Sequence, residues 1–434
     1  MTDRHRAERK VALARLWARA KQIVTTDPKG SDEDDHIVDE AAAEALAAQA
    51  GKLKGGLAKV AQLAAYDPGI SLGRRRGASA AARAMLGALW DRAPGVSAAA
   101  IARVVEEDLG KPPQQLFAEW DPHPLAAASL GQVHAATLHT GDDVVVKVQY
   151  PGVAEALAAD LDETGFLRKL AGSELGARLD HEALAVLAAA VRGELDYRAE
   201  ADAQTRFATA WAGDPVLRFP RVFDELSSRR VLTMTRARGK TVVETAAAGP
   251  ELRRDAALAI FRFAWGSPLA HGLLNADPNP GNFLVADRDA PVVWCLDFGC
   301  AMELTKGVWD ADRELHFGLV DPDGAERFRM ALAAGGLLRR ADMLATTAHR
   351  EWERALAAPF ASHGDFRWTA AYASELAETT GRVLAAGGVG LPAPVLLLWR
   401  QRLGAAAVIA MLDAHAPFRR VLVELIGTGK RALR

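Results

Sequence analysis

Two polar loops alternate with short apolar runs in residues 271–299, HGLLNADPNPGNFLVADRDAPVVWCLDFG. Three of their oxygen-bearing side chains, those of Asp277, Asn282 and Asp297, have a spacing that suits a metal–nucleotide site. The apolar run Val292–Leu296 predicts a buried strand directly before the last of them, and NFLV predicts a second short strand that begins at Asn282. Mg²⁺ prefers oxygen ligands and shares them with nucleotide phosphates. The segment therefore predicts a magnesium–nucleotide site.

The spacing D-x4-N, followed by D-F-G, is typical of a kinase active site. In such a site the loop aspartate, here Asp277, orients the attacking group, whereas Asn282 and Asp297 hold Mg²⁺. The simpler alternative is a pair of turns, because Asp-Pro, Asn-Pro and Pro-Gly dipeptides form turns without any attached chemistry. A kinase-like site requires further motifs elsewhere in the chain, whereas a pair of turns requires none.

A kinase-like site also needs a lysine on a strand and a glutamate that holds it. Residues 143–149, DVVVKVQ, predict a β-branched strand that contains Lys147. Burying an ammonium group is costly unless it is paired, so Lys147 is a candidate phosphate ligand. Gly141 and Asp142 predict a hairpin turn, and residues 131–137 predict the strand before it. The alternative is an edge strand with Lys147 facing water, which would guard against aggregation.

The segment before these strands is rich in alanine. Residues 124–133 predict a loop that contains Ala126, Ala127, Ala128 and Ser129, where an ordinary protein kinase has a glycine-rich loop. Alanine keeps such a loop small but gives up the freedom of glycine at positive φ. We therefore expect a stiffer loop with an altered grip on the phosphates.

A carboxylate-rich segment follows the predicted lysine strand. Residues 194–207 predict a helix with Glu194, Asp196 and Glu200 near its start. So many carboxylates favour a helix packed beside the strand lysine, and an exposed helix with i,i+4 pairs is the alternative. Residues 152–193 have helical periodicity and predict an inserted pair of helices.

Five segments, taken together and in order, resemble the UbiB/AarF/ADCK family of atypical kinase-like proteins: AAASLGQVH at 126–134, VKVQYPGV at 146–153, ELDYRAEA at 194–201, NADPNPGNFLV at 275–285 and LDFG at 296–299. The resemblance implies an α+β, two-lobed protein-kinase-like fold. A small antiparallel sheet lobe would join a mostly helical lobe, with an N-terminal helical extension packed over the active site. The resemblance also implies ATP and Mg²⁺ as cofactors.

The resemblance implies a role for each residue that matches a family motif. Lys147 is implied as the nucleotide lysine and Glu200 as its ion-pair partner. Asp277 is implied as the catalytic-loop aspartate, and Asn282 and Asp297 as the metal ligands. The alanine-rich segment is implied as part of the nucleotide site.

Upstream, residues 54–62, KGGLAKVAQ, resemble the family's KxGQ helix, with Lys59 and Gln62 as signature residues. In the family this helix covers the active site, meets the ExD pair (here Glu194 and Asp196) and obstructs a protein substrate. The resemblance thus implies ATP hydrolysis or small-molecule or lipid phosphorylation, in isoprenoid-quinone or other lipid metabolism. Without the resemblance, Lys59 would be a solvent-facing lysine on an alanine-rich helix.

Three residues depart from the family pattern. Ala61 replaces the glycine of KxGQ, and Asn275 and Asn279 replace the two histidines of the usual HADPHPGN. An amide can still hydrogen-bond locally, so we expect Asn275 to brace the loop. These departures motivate a second hypothesis, a nucleotide-sensing scaffold with negligible turnover. A third is a soluble kinase of the aminoglycoside or choline type, against which the alanine-rich loop and the ELD segment argue.

The whole chain sets broader limits. Its 434 residues have a formal net charge of −2, which gives no electrostatic argument for nucleic acid. Cys295 and Cys300 predict packing residues in a reducing compartment, with no disulfide, zinc site or metal cluster. We expect a cytoplasmic protein without a secretory signal or membrane span. Residues 4–24 predict a basic amphipathic helix that packs on the domain, and peripheral contact with the inner membrane is the alternative. A lipid or quinone-precursor ligand is implied by the family resemblance alone.

The predicted organisation has four parts: a helical extension at 1–50, a second helical segment with the KxGQ-type helix at 51–122, a strand lobe with a helical insert near 152–193 at 123–240, and a helical lobe with the catalytic and metal-binding loops at 241–434.

Overall fold

The computed structural model describes residues 96–128, 130–155, 157, 181–286, 291–321, 323–339, 344 and 346–429. The predicted N-terminal extension, Lys59, Ala61, Gln62 and Ser129 lie outside these described residues. Among the described residues, 96–157 belong to one compact unit and 181–429 to a second.

Three antiparallel strands lie side by side in the first unit: β1 (Glu119–Ala127), β2 (Gly131–Thr137) and β3 (Asp143–Gln149). They follow helices α1 (Ala98–Leu109) and α2 (Pro113–Leu116), and α1 packs against β3. The turn between β2 and β3 places Gly141 at a φ of 87°, which glycine adopts without steric cost. The predicted hairpin and both of its strands are confirmed.

The alanine-rich segment differs from the prediction. Ala126 and Ala127 lie at the end of β1 and pair with β2, so the predicted loop over 124–133 was wrong in its first half. Beyond β1, the Ala128 N–H donates to the Gly131 carbonyl at 2.9 Å. Pairing with β2 satisfies the backbone polar groups of the alanine run, which a free loop would leave to water.

Lys147 lies within β3, opposite Val133 of β2. Its residue surface is only 8% exposed. The alternative of a water-facing edge lysine was therefore wrong. A buried ammonium group is stable only with a partner that compensates for its lost hydration.

The second unit consists mainly of helices, with short strands between them. Its helices are α3 (His181–Gly193), α4 (Tyr197–Ala210), α5 (Val242–Ala246), α6 (Pro250–His271), α7 (Lys306–Val320), α8 (Ala325–Ala334), α9 (Thr347–Ala357), α10 (Ala370–Ala385), α11 (Ala393–Met411) and α12 (Phe418–Gly429). Its strands are β4 (Leu217–Arg218), β5 (Val231–Thr235), β6 (Lys240–Thr241), β7 (Leu273–Asn275), β8 (Phe283–Ala286), β9 (Val292–Cys295), β10 (Ala301–Glu303), β11 (Phe366–Trp368) and β12 (Ala414–Ala416).

Helix α6 runs through the core of the second unit. Its Phe261 and Trp265 rings stack with centroids 4.5 Å apart, and Trp368 and Phe418 meet Phe261 edge-on. Helices α11 and α12 pack against it. Most of its residues from Ala256 to Ala270 are buried, so the rest of the second unit surrounds this part of the helix.

A small sheet with the strand order β4-β9-β8-β6 supports the two polar loops. The predicted hairpin of two strands is confirmed, with Phe283 opposite Cys295 and Val285 opposite Val293. The sequence predicted Asn282 as the first residue of this strand, but Asn282 instead ends a short 3₁₀ helix. Its side chain bonds back into the loop, which leaves Phe283 as the first residue of the ladder.

Helix α4 begins later than the sequence indicated. Asp196 is its N-cap, and its carboxylate accepts hydrogen bonds from the N–H groups of Arg198 and Ala199 at 3.0 and 3.3 Å. Aspartate is favoured at this position because it satisfies backbone donors that have no helical partner. Glu194 therefore lies before the helix, and the helical prediction over 194–207 was wrong in its first turn.

Helix α3 agrees with the helical periodicity predicted for the end of the insert. Among the described helices, none is both long and apolar enough to cross a membrane.

A buried polar cluster joins α7 to α11. Arg402 donates to Asp312 at 2.8 Å and also contacts Nε2 of His316. Nδ1 of His316 lies 2.7 Å from the Asp312 carbonyl oxygen, so the neutral ring donates there and accepts from Arg402. Burial, together with the Arg402 charge, lowers the pKa of His316 to about 4.

This pKa makes the second unit sensitive to acid. The unfolded chain, with an ordinary histidine pKa of 6.5, binds the proton more readily than the folded chain does. Stability should therefore fall as the pH decreases from 6.5 towards 4, by on the order of 3 kcal/mol in total.

The variant His316→Gln keeps an acceptor for Arg402 but cannot titrate. We expect its urea-unfolding midpoint to change less than that of the wild type between about pH 7.5 and about pH 5. Equal changes in the two proteins would contradict the assignment of acid sensitivity to His316.

Candidate functional site

Two pairs of strands hold the polar loops from both sides. Strand β7 ends just before the Asp277 loop and β8 begins just after it, whereas β9 and β10 enclose the loop of Asp297. β7 pairs with β10, and β8 pairs with β9. The loops are also joined by backbone bonds, from Ala276 N–H to the Cys300 carbonyl at 3.1 Å and from Leu296 N–H to the Asn282 carbonyl at 3.0 Å. The local folding of the sequence thus places both loops side by side.

Asn275 connects the two loops through its side chain. Its Nδ2 donates to the Asp297 carbonyl oxygen at 2.8 Å, and its Oδ1 accepts from the Asp277 N–H at 3.3 Å. The residue is 5% exposed. The expectation that an amide at this position would brace the loop is confirmed.

Asp277 and Asn282 contact each other across the first loop. Nδ2 of Asn282 donates to the backbone carbonyl of Asp277 at 3.1 Å and to its carboxylate Oδ2 at 3.2 Å. This fixes the amide so that its Oδ1, a suitable ligand for a hard cation, remains as the acceptor. The D-x4-N spacing therefore forms an ordered loop in which both side chains have defined orientations.

The second loop brings three carboxylates together. Oδ1 of Asp297 accepts from the Gly299 N–H at 3.0 Å, and Glu200 Oε1 lies 3.5 Å from the Phe298 nitrogen that donates to it. A Cβ placed on Gly299 would lie 3.3 Å from Glu194 Cγ, 3.4 Å from Asp297 Oδ1 and 3.6 Å from Glu200 Oε2. Three acidic side chains therefore surround Gly299, which concentrates negative charge at the second loop.

Glu194 is also linked to the residue after D-F-G. The thiol of Cys300 donates to Glu194 Oε1 at 3.0 Å, and both residues are buried. Cys295 is buried as well, and both cysteines are free thiols, as predicted. Burial raises the pKa of the Cys295 thiol, so it serves as a packing residue.

Sequence reasoning missed the contribution of α11 to the first loop. Nη2 of Arg400 lies 3.5 Å from Oδ1 of Asp277, and only 8% of the Arg400 side chain is exposed. One turn later, Gly404 faces Pro278 so closely that an added Cβ would lie 2.1 Å from the proline Cγ. The available signal was a polar triplet, residues 400–402, inside an otherwise apolar helix.

The donor set suits Mg²⁺. Asn282 offers an amide oxygen and Asp297 a carboxylate, both of which are hard oxygen ligands. Within the described residues no group of three or more His, Cys, Asp or Glu side chains is arranged to hold a metal ion. A Mg²⁺ ion bound here would therefore take its other ligands from phosphates and water, which is its usual preference.

Other predicted residues belong to the first unit or have structural roles. Lys147 and the alanines of β1 belong to the first unit. Asp196 caps α4 and forms a long ion pair with Arg229 at 3.8 Å on the surface. Exposed pairs of this kind contribute little to stability.

Comparison with known proteins identifies the family. Residues 88–330, more than half of the chain, match the model of the ABC1 atypical kinase-like domain. The chain belongs to this family. The resemblance stated from the five sequence motifs is therefore confirmed.

Two relatives are named atypical kinases. The chain is 30% identical over 324 residues to the mitochondrial atypical kinase COQ8B of Rattus norvegicus, covering 73% of this chain and 60% of that protein. It is 35% identical over 202 residues to the mitochondrial atypical kinase COQ8 of Saccharomyces cerevisiae, covering 46% of this chain and 40% of that protein. It thus spans less than two thirds of either relative.

A solved structure supports the fold. The Mycobacterium tuberculosis protein Rv3197, in complex with erythromycin, is similar with a TM-score of 0.62 and 24% identity, covering 92% of this chain and 100% of that one. The α+β, kinase-like fold predicted from the sequence is confirmed.

The bridging role of Asn275 leads to a prediction. In Asn275→Ala the Asp297 carbonyl and the Asp277 N–H lose their partner, and a buried unsatisfied group costs about 1–3 kcal/mol. We expect a loss of this size in urea unfolding. The matched control is Asn279→Ala, which removes only an exposed local bond to the Gly281 N–H at 2.9 Å. Equal losses in the two variants would show that Asn275 does not join the loops.

Proposed function

We propose that this protein is a Mg²⁺-dependent atypical kinase or ATPase that transfers the γ-phosphoryl group of ATP to water or to a small-molecule or lipid acceptor. The observation that carries the proposal is the pair of loops joined by Asn275, in which Asp277, Asn282 and Asp297 have fixed orientations. Turns without chemistry would not need a buried side chain to join them.

Each candidate site residue in the two loops, together with Glu200, has a proposed role. Asp277 accepts the proton of the attacking hydroxyl or water, because its carboxylate is held by Asn282 and Arg400 and remains 15% exposed. Asn282 and Asp297 would hold Mg²⁺, which would neutralise negative charge on the nucleotide phosphates. Glu200 stands beside the second loop as the proposed partner of the nucleotide lysine.

Lys147 is the proposed nucleotide lysine, since it is a lysine of β3 with only 8% of its residue surface exposed. The segment from Ala126 to Ser129 is the proposed counterpart of a glycine-rich loop. Two alanines of this segment are paired in β1, which limits how far its backbone can move towards phosphates. Glu194 and Asp196 are the proposed contacts of the KxGQ-type helix with Lys59 and Gln62.

The acceptor is proposed to be a lipid or quinone precursor, in isoprenoid-quinone metabolism, with the protein in the cytoplasm or at the inner membrane surface. This part rests on the family resemblance and on relatives named COQ8 and COQ8B. The chain's near-neutral charge gives no support for a nucleic-acid substrate.

A second candidate is a nucleotide-binding scaffold with negligible turnover. Asn275 and Asn279 favour it, because neither amide can exchange a proton as histidine would. Both candidates require the same loops to bind MgATP. They differ in whether Asp277 accepts a proton during phosphoryl transfer.

Substitution of Asp277 separates the two candidates. Asp277→Asn keeps an acceptor for the Asn282 amide but removes the base, so we expect phosphate release from MgATP to fall by about 10²- to 10⁴-fold. Binding of MgATP should persist. The control Asp310→Asn removes a surface carboxylate that pairs with Lys306 and should release phosphate like the wild type.

Phosphate release is followed with and without quinone-precursor lipids for all three proteins. Wild-type turnover no higher than that of Asp277→Asn, with MgATP bound by both, would favour the scaffold and contradict the catalytic assignment.

A further inference from the structure

The first polar loop contains no cationic side chain of its own. Residues 275–282, NADPNPGN, carry a single charge, on Asp277. A transferred phosphoryl group spreads negative charge over its oxygens, and such sites use lysine or arginine to stabilise that charge. A cation near Asp277 must therefore come from another part of the chain.

Helix α11 supplies that cation. Arg400 approaches Asp277 Oδ1 to 3.5 Å through Nη2. Gly404, four residues later on the same face of the helix, lets Pro278 pack against the helix backbone. Because a Cβ at Gly404 would overlap the proline ring, the close approach of α11 to the loop depends on this glycine.

Two nitrogen atoms of the Arg400 guanidinium make no hydrogen bond within the described part of the chain. Its Nε and Nη1 are buried and have no hydrogen-bond partner among the described residues. The side-chain Nε2 and Oε1 of the adjacent Gln401 are also buried and without a hydrogen-bond partner among the described residues. Leu397, one turn before Gln401, packs in a cluster with Leu274 and Ala276, so this side of the helix faces β7 and the start of the loop. Buried donors without partners are rare and indicate a ligand, water or functional role.

The geometry points to Arg400 as a ligand of the phosphoryl group that is transferred. We propose that its planar guanidinium donates to the non-bridging oxygens of that group, as γ-phosphoryl of ATP before transfer and as phosphate after hydrolysis. Several donors in a fixed fork match phosphate oxygens better than a single ammonium does. The proposal deepens the proposed function and depends on it.

In the reaction, the bond between the γ-phosphorus and the β,γ-bridging oxygen breaks and its electron pair leaves with ADP. A new bond forms between phosphorus and the oxygen of water or of an acceptor hydroxyl, whose proton passes to the Asp277 carboxylate. Arg400 takes no proton. Its fixed positive charge stabilises the negative charge that is spread over the oxygens of the transferred group.

The test compares nucleotides that do and do not carry the γ-phosphoryl group. Binding of Mg²⁺ with the β,γ-imido analogue of ATP, with ADP, and with ADP plus inorganic phosphate is measured by calorimetry. We expect Arg400→Gln to bind the analogue about 10- to 100-fold more weakly than the wild type, while ADP affinity changes by less than about threefold. The affinity of Arg400→Lys for the analogue should lie between those of the wild type and Arg400→Gln. Added phosphate should change ADP binding in the wild type but not in Arg400→Gln.

The matched control is Arg402→Lys, which alters a buried arginine of the same helix that pairs with Asp312 instead of the loop. Its ratio of analogue to ADP affinity should equal that of the wild type. Thermal unfolding is measured for every variant, and if Arg400→Gln does not fold, Arg400→Lys provides the comparison.

The outcomes separate this proposal from the proposed function. The Arg400 variants could lose equal affinity for the analogue and for ADP, or lose affinity for neither. Either result would overturn the contact with the phosphoryl group and leave Arg400 with only its ion pair to Asp277. A wild-type protein that binds none of the nucleotides would overturn both proposals.

Discussion

The hydrogen bond from the Asn275 side chain to the Asp297 carbonyl is the interaction on which the candidate site depends. It joins two loops through residues that are 22 positions apart in sequence, and paired strands enclose both loops. The paired strands β7 and β10 bring the loops together, and the amide sets their spacing. Because the Asn275 side chain is buried and the bond is partly buried, water would compensate for its loss only in part. The orientations of Asp277, Asn282 and Asp297 follow from this connection.

The charge balance of the second unit follows from the same arrangement. Glu194, Glu200 and Asp297 meet around Gly299, and Asp277 stands in the neighbouring loop. Carboxylates in partly buried surroundings repel each other unless cations stand near them. One cation, Arg400, comes from a helix more than a hundred residues further along the chain. The same helix supplies Arg402 to a second buried cluster, so α11 contributes positive charge on two of its sides.

The sequence was informative where local patterns decide the structure. The β2–β3 hairpin, the β8–β9 hairpin and the bracing role of Asn275 were predicted, because β-branched runs, turn residues and amide chemistry act over a few neighbours. The start of α4 was placed too early, since carboxylates suit a helix N-terminus as well as a first turn, and the capping role of Asp196 decides between them. The pairing of Ala126 and Ala127 was missed, because alanine has no strong preference for a strand and tertiary context decided. Arg400 could not be placed at all, because no local pattern relates it to Asp277 across the intervening chain.

We propose that the two loops bind a magnesium–nucleotide complex. This proposal is tested most directly by the thermal unfolding of the wild type and of Asp297→Asn with ATP, with and without Mg²⁺. A ligand at about a hundred times its Kd should stabilise the folded state by about 2.7 kcal/mol. We predict a shift of the unfolding temperature in the wild type that requires Mg²⁺ and is lost in Asp297→Asn. No shift in the wild type, or an equal shift in both proteins, would contradict the claim.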